Sequence, residues 1–274
     1  MNDVVLPLLA VLIGVGAAWA MTVPLHSFKE FRPKTPRDVA SEVDSAGVPT
    51  QIIRAAYREA RCPDCHHSFS ALDVIPVFSW ARGCPECGRR LAWTVPLLQI
   101  GVPLAMLATA LTLPNTVNAW VVLPYLWLVV VLAAISLVDL RIWLIPYWMP
   151  WVGAAVGLVL IAIVSIGLGV PGAIKPAILG AALSFLLFFI LFIAAPGKLG
   201  FGDVRLALLL GMFLAWLHPL LPFYGLLFGS LLGVVMGAGS LIRKSDSRFA
   251  FGPALALGAM CAIWFSGPLL NSFG

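Results

Sequence analysis

The chain has 274 residues, 61% of them hydrophobic and 11% charged, with a mean hydropathy of +1.00. A soluble domain, with about 25% charged residues, is excluded, and an all-α polytopic membrane protein is expected. The net charge is +5, and its placement says more than its sign.

A helix crosses about 30 Å of hydrocarbon with roughly 20 apolar residues. Eight stretches qualify: 4–25, 94–113, 119–139, 150–169, 174–195, 204–220, 222–242 and 251–270. Basic residues follow the first stretch and none precedes it, the reverse of a secretory signal peptide, so it is expected to stay as a helix. Prolines and glycines such as Pro103, Pro124, Gly180, Gly229 and Gly233 fall inside these stretches, where neighbouring helices can satisfy the freed backbone groups. The expected organisation is a first transmembrane helix at 1–25, a cytoplasmic loop at 26–93 and a transmembrane bundle at 94–274.

Residues 26–93 form the one large polar segment and hold ten of the 17 basic residues. Within it, 31–50 reads as a Pro- and Gly-punctuated loop before a short helical piece near 50–60. Threading eight helices from an external N-terminus puts this segment in the cytoplasm with every other basic residue except Lys175, the asymmetry that the positive-inside rule describes.

The polar segment contains Cys62-Pro63-Asp64-Cys65, 18 intervening residues, then Cys84-Pro85-Glu86-Cys87. Two Cys-x2-Cys knuckles at this spacing offer a tetrahedral sulfur site suited to structural zinc. A closed site has no open position for substrate, so its expected work is to hold together a small domain with little core. Redox pairs or unmetallated thiols are the rival readings. His66 and His67 are expected to be solvated, and Cys261 to pack in the last helix.

Asp139 ends the third apolar stretch, and Asp203 stands in Gly200-Phe201-Gly202-Asp203 ahead of the sixth. Ionisable residues at membrane depth are functional candidates. The threading puts both near the cytoplasmic boundary. Amide hydrolysis by two aspartates needs one ionised, to take a proton from water, and one protonated, to polarise the carbonyl; holding two carboxyls close drives their titrations apart. Gly200 and Gly202 are expected to let a substrate backbone approach Asp203. The rival reading is that each aspartate marks where a helix leaves the bilayer. Arg141, Arg205 and Lys198 are expected to snorkel to head groups, and Trp143, Trp148 and Trp151 to form an interfacial belt. The stretch Phe249-Ala250-Phe251-Gly252-Pro253 either lines a substrate path or merely starts the last helix.

Ordered motifs from about Arg61 to about Gly258 resemble the prepilin peptidases, the type IV leader peptidase family of membrane GxGD-type aspartyl proteases. The cysteine knuckles with Asp73-Val74-Ile75-Pro76, Trp80 and Leu91-Ala92-Trp93 resemble that family's cytoplasmic domain. Asp139-Leu140-Arg141 followed by Ile145-Pro146 resembles its first aspartate motif, Gly200-Phe201-Gly202-Asp203 its second, and Phe251-Gly252-Pro253 its late motif. The resemblance implies cleavage of the short basic leader of type IV pilin or pseudopilin precursors at the cytoplasmic face of the bacterial inner membrane, with Asp139 and Asp203 as the catalytic pair. Some members also N-methylate the product with S-adenosylmethionine. Departures fall in the region tied to that activity: Tyr147 and Gln99 stand where many relatives carry acids, and the Gly-Ser-Phe-rich end of the first helix is not clear in 16–28. Residues 29–60 lie outside the resemblance. The expected partners are the precursor and the lipid bilayer, with no nucleic acid.

Two other classes fit parts of the pattern. A non-enzymatic cation transporter or channel would bind its ion at the aspartates, but its charges are expected near mid-membrane in repeated halves. A membrane anchor would use the zinc module to hold a partner.

Overall fold

The computed structural model describes residues 2–25, 65, 67, 83–88, 94–113, 118–142, 145–195, 199–242 and 250–271. Among them the regular structure is helical: α1 Asn2–Leu25, α2 Thr94–Thr112, α3 Val122–Ile142, α4 Trp148–Gly167, α5 Ile174–Ala194, α6 Phe201–Leu217, α7 Leu221–Ile242, α8 Gly252–Trp264 and α9 Ser266–Asn271, with single 3-10 turns at Ala119–Val121 and Pro171–Ala173. A helix occupies each of the eight apolar stretches. Four segments, Val95–Thr112, Ala119–Leu140, Trp148–Gly167 and Pro171–Ala194, are long and apolar enough to cross a membrane, and the chain is a membrane protein. Val5–Met21, Leu221–Met236 and Gly252–Trp264 are shorter apolar helices. The expected helical piece near 50–60 lies outside the described residues.

Several boundaries shift by a few residues, and two of the differences have clear local reasons. α6 begins at Phe201 rather than 204, which draws Asp203 into its first turn. The last stretch is two helices, with Phe265 between them at φ −99° and ψ 16°. Pro268 has no N–H to give the Trp264 carbonyl, and its ring crowds that carbonyl, so an uninterrupted helix is disfavoured there. α4 ends in a Schellman turn: Gly169 takes φ 72°, its N–H bonds the Ile166 carbonyl at 3.0 Å, and the Val170 N–H bonds the Ser165 carbonyl at 2.8 Å.

The chain divides into two compact units, Met1–Leu107 and Ala108–Gly274. In the first, α1 meets α2 closely at Gly14, where a Cβ would fall 2.8 Å from the Pro103 Cα. The second is built around α6, whose inward residues from Val204 to Ala215 are buried by α4, α5, α7 and α8. α6 lies against α5 backbone to backbone. A Cβ on Gly211 would collide with the Gly180 carbonyl and the Ser184 side chain, so only glycine fits. Aromatic side chains fix α6 from other directions. The fully buried Tyr125 of α3 donates its hydroxyl to the Phe213 carbonyl at 2.8 Å and stacks on Trp216. The Trp216 indole N–H in turn donates to Ser165 Oγ at 3.0 Å. Between helices in lipid, where apolar contact alone discriminates little, close small-residue packing and such hydrogen bonds carry the association.

This packing reverses the usual sign of a glycine-to-alanine change. Alanine is favoured over glycine inside a helix by about 1 kcal/mol, yet Gly211→Ala is expected to destabilise by about 1–3 kcal/mol through overpacking. Gly16→Ala, where a Cβ meets nothing within 4 Å, is expected to be neutral or stabilising. Thermal unfolding of the two variants in the same detergent checks the contrast.

Candidate active site

The first turn of α8 creates an unsatisfied donor. The Gly252 N–H has no intrahelical acceptor, as at any helix start, and Pro253 behind it brings no N–H of its own. Asp139, in the last turn of α3, supplies the acceptor: its Oδ2 receives the Gly252 N–H at 2.8 Å. Glycine allows this close approach, because a Cβ at 252 would stand 2.8 Å from that oxygen and the carboxyl would have to shift.

Asp203 does a similar job within its own segment. It is the third residue of α6, and its Oδ2 accepts the Gly200 N–H at 3.2 Å, while its own N–H returns to the Gly200 carbonyl at 3.1 Å. This is the reach-back half of a capping box. Asp139 is 5% exposed and Asp203 8%, and they are the only buried acids among the described residues. Burying a carboxyl is expensive unless it is hydrogen-bonded, and each has its helix-start amide. Ile145 lies against both Gly202, the neighbour of Asp203, and Gly252, whose N–H holds Asp139, so the two acids flank one side chain. Among the described residues each Oδ1 has no hydrogen-bonding partner, so an oxygen on each acid is left for water or substrate.

The two glycines of the second motif differ. Gly200 is exposed, and a Cβ there would meet only the Asp203 carboxyl and the Gly202 nitrogen. The bare face of Gly202 instead receives Ile145: a Cβ would fall 2.9 Å from the Ile145 Cβ. Gly202 is therefore packed by the chain itself, where open space for substrate was expected. Ile145 and Gly252 were visible in the sequence as members of motifs, but nothing in their spacing signalled that they meet the aspartates. The Arg205 guanidinium lies 4.6 Å from the centre of the Phe201 ring, a cation–π contact, where snorkelling was expected. Trp151 is exposed and Trp148 half-buried at the start of α4, while Trp143, Lys198, Phe249 and the Arg141 side chain lie outside the described residues.

The Sγ atoms of Cys65, Cys84 and Cys87 all lie within 4.8 Å of one another, with Cys65 and Cys84 at 3.5 Å. Four sulfurs held about 2.3 Å from one zinc are about 3.8 Å apart, so these three thiols fit a tetrahedral metal site. Gly83 and Gly88 take φ 65° and 69°, and the Gly88 N–H closes on the Cys84 carbonyl at 2.9 Å, which curls the second knuckle. Cys62 lies outside the described residues, as does His66. His67, expected to be solvated, has its Nδ1 3.2 Å from Glu86 of the second knuckle. Cys261 is half-buried in α8.

An all-helical membrane protein whose helix ends bring two buried carboxyls together, with a separate thiol cluster, is the class that fold and site define. Residues 126–238 match the type IV leader peptidase family and residues 18–113 the bacterial peptidase A24 N-terminal domain. The chain belongs to the type IV leader peptidase family and is an enzyme. It is 32% identical to a prepilin leader peptidase/N-methyltransferase of Aeromonas hydrophila, over 80% of this chain and 76% of that protein. It is also 32% identical to the protein of that name from Pseudomonas putida, over 78% of this chain and 74% of the relative. A third, from Stutzerimonas stutzeri, is 25% identical over 99% of this chain and 95% of its own length. No solved structure matches. The N-terminal match takes in residues 29–60, which the motifs alone had left outside the resemblance. Family membership does not favour the transporter or channel reading.

The cap on α8 separates two substitutions at one position. Asp139→Asn keeps an oxygen for the Gly252 N–H, whereas Asp139→Ala strands it. The alanine variant is expected to be less stable than the asparagine variant by about 1–3 kcal/mol, measured by thermal unfolding in detergent.

Proposed function

We propose that the protein is an intramembrane aspartyl endopeptidase that removes the basic leader of type IV prepilin-like precursors, with Asp139 and Asp203 as its catalytic pair. One observation carries this reading: two buried acids on either side of Ile145, each tethered through Oδ2 to a helix-start amide and each with Oδ1 uncommitted. The names of the relatives support the substrate class. Charge supports an orientation: eight helices threaded from an external N-terminus would put nearly all basic residues, and both aspartates, on the cytoplasmic side of the inner membrane. A precursor that spans the membrane with its basic leader inside brings its cleavage site to the same depth.

In the reaction one carboxylate takes a proton from water as its oxygen attacks the scissile carbonyl carbon. The other, protonated, gives its proton to the carbonyl oxygen. The tetrahedral intermediate then collapses: the C–N bond breaks, the first acid returns its proton to the leaving nitrogen, and the second recovers its proton from the hydroxyl. The products are the leader's new carboxyl end and the mature subunit's new amino end. The two acids titrate as a pair, so the roles belong to the pair rather than to a named member.

The thiol cluster is read as structural zinc held by Cys62, Cys65, Cys84 and Cys87. Bound there, the metal supplies a folding constraint to residues 61–90 and no step of hydrolysis. N-methylation of the new amino end with S-adenosylmethionine is a second reading, favoured by the relatives' names; no described residue is assigned to that cofactor, and no step is derived through it.

Asp139→Asn and Asp203→Asn are each expected to slow precursor cleavage by at least about a hundredfold while the protein still accumulates in membranes. Gel separation of precursor and product, with the mass of the processed N-terminus, reads both cleavage and methylation; normal cleavage by either variant removes that residue from the mechanism. The purified protein is expected to hold about one equivalent of zinc, and Cys84→Ser to lose most of it, by metal analysis.

A further inference from the structure

We infer that Ile145 is a positioning residue, the spacer that sets the separation of the Asp139 and Asp203 carboxyls; the inference rests on the aspartyl-pair reading above. Its side chain touches the backbone that holds each acid. On one side it fills the bare face of Gly202, the residue before Asp203, with Cβ, Cγ1 and Cδ1 at 2.9, 3.4 and 3.5 Å from where a glycine Cβ would stand. On the other, the same Cδ1 comes within 3.4 Å of the corresponding point on Gly252, whose N–H holds Asp139. A single buried side chain thus links Asp203, Gly202, Gly252 and Asp139 in one continuous line of contact.

The spacer is stiff for three reasons. A β-branched side chain has few χ1 choices. Pro146 confines the backbone of Ile145 to extended conformations. The Pro146 carbonyl accepts the Met149 N–H at 3.1 Å, which roots the segment in the first turn of α4. Ile145 is 6% exposed, so solvent has little access to the wedge. An ordinary core isoleucine would contribute stability alone. A spacer contributes geometry as well, and an error of about 1 Å at reacting groups can cost roughly a hundredfold in rate.

Two measurements separate these roles. In membranes containing a fusion of basic leader and apolar helix as substrate, Ile145→Ala is expected to lower kcat by about tenfold to a hundredfold with KM changed by less than about twofold. Ile145→Val, which loses only Cδ1, should fall between. Ile161→Ala, a fully buried isoleucine of α4 away from the acids, controls for lost packing and should keep kcat within about twofold. If Ile145→Ala does not accumulate, the Val variant carries the test. In the second measurement Asp139→Cys and Asp203→Cys are combined and oxidised in membranes, and the 139–203 disulfide is quantified by peptide mass spectrometry. Changing Ile145 to Val or Ala is expected to alter its rate of formation by about threefold or more. This readout needs no catalysis, so it still judges the spacer if the single Asp→Asn variants retain cleavage and the aspartyl reading falls. An unchanged cross-linking rate, or a kcat loss no larger than that of Ile161→Ala, overturns the proposal.

Discussion

The Gly252 amide and the Asp139 carboxyl, 113 residues apart in the chain, each answer a need of the other. A helix that starts inside packed protein leaves N–H groups without acceptors, and an acid buried in the same place lacks donors. Joining them fixes the start of α8 to the end of α3. Asp203 makes the local version of the same bargain with Gly200. The acids are thus part of how the bundle is closed, and each keeps a second carboxyl oxygen outside that hydrogen bonding.

The rigidity of that arrangement comes from α6. It carries Asp203 at its head, and along its length it presents Gly211 to the backbone of α5 and the Phe213 carbonyl to Tyr125. Trp216, Ser165 and Tyr125 then join α3, α4 and α6 through two hydrogen bonds and a stacked ring pair. Trp127 adds an indole bond to the Gly153 carbonyl between α3 and α4. These bonds are directional, so they hold register in an interior where apolar contacts are interchangeable. Displacing α6 along its axis would move Asp203 relative to Asp139, and the aromatic network resists that motion.

The thiol cluster belongs to a different part of the chain and a different kind of stability. The close approach of Cys65, Cys84 and Cys87 is a cross-link that a bound metal would tighten. The His67–Glu86 contact adds a second link between residues distant in the segment.

Much of this protein can be read from its sequence because the relevant information is local. Twenty-residue apolar runs place helices at all eight stretches, the Cys-x2-Cys spacing marks the knuckles, and rare acids beside apolar runs single out Asp139 and Asp203. Even the boundary differences at Phe201 and Phe265 have causes within a few residues: an acid that reaches back to Gly200 and a proline at 268. What tertiary structure alone decided are the contacts between distant segments: Asp139 on Gly252, Ile145 between Gly202 and Gly252, Tyr125 on Phe213. Helices that are apolar on every side give no stripe to say which face turns inward. Which surfaces meet is settled by the fit of side chains across segments, and no spacing along the chain encodes it.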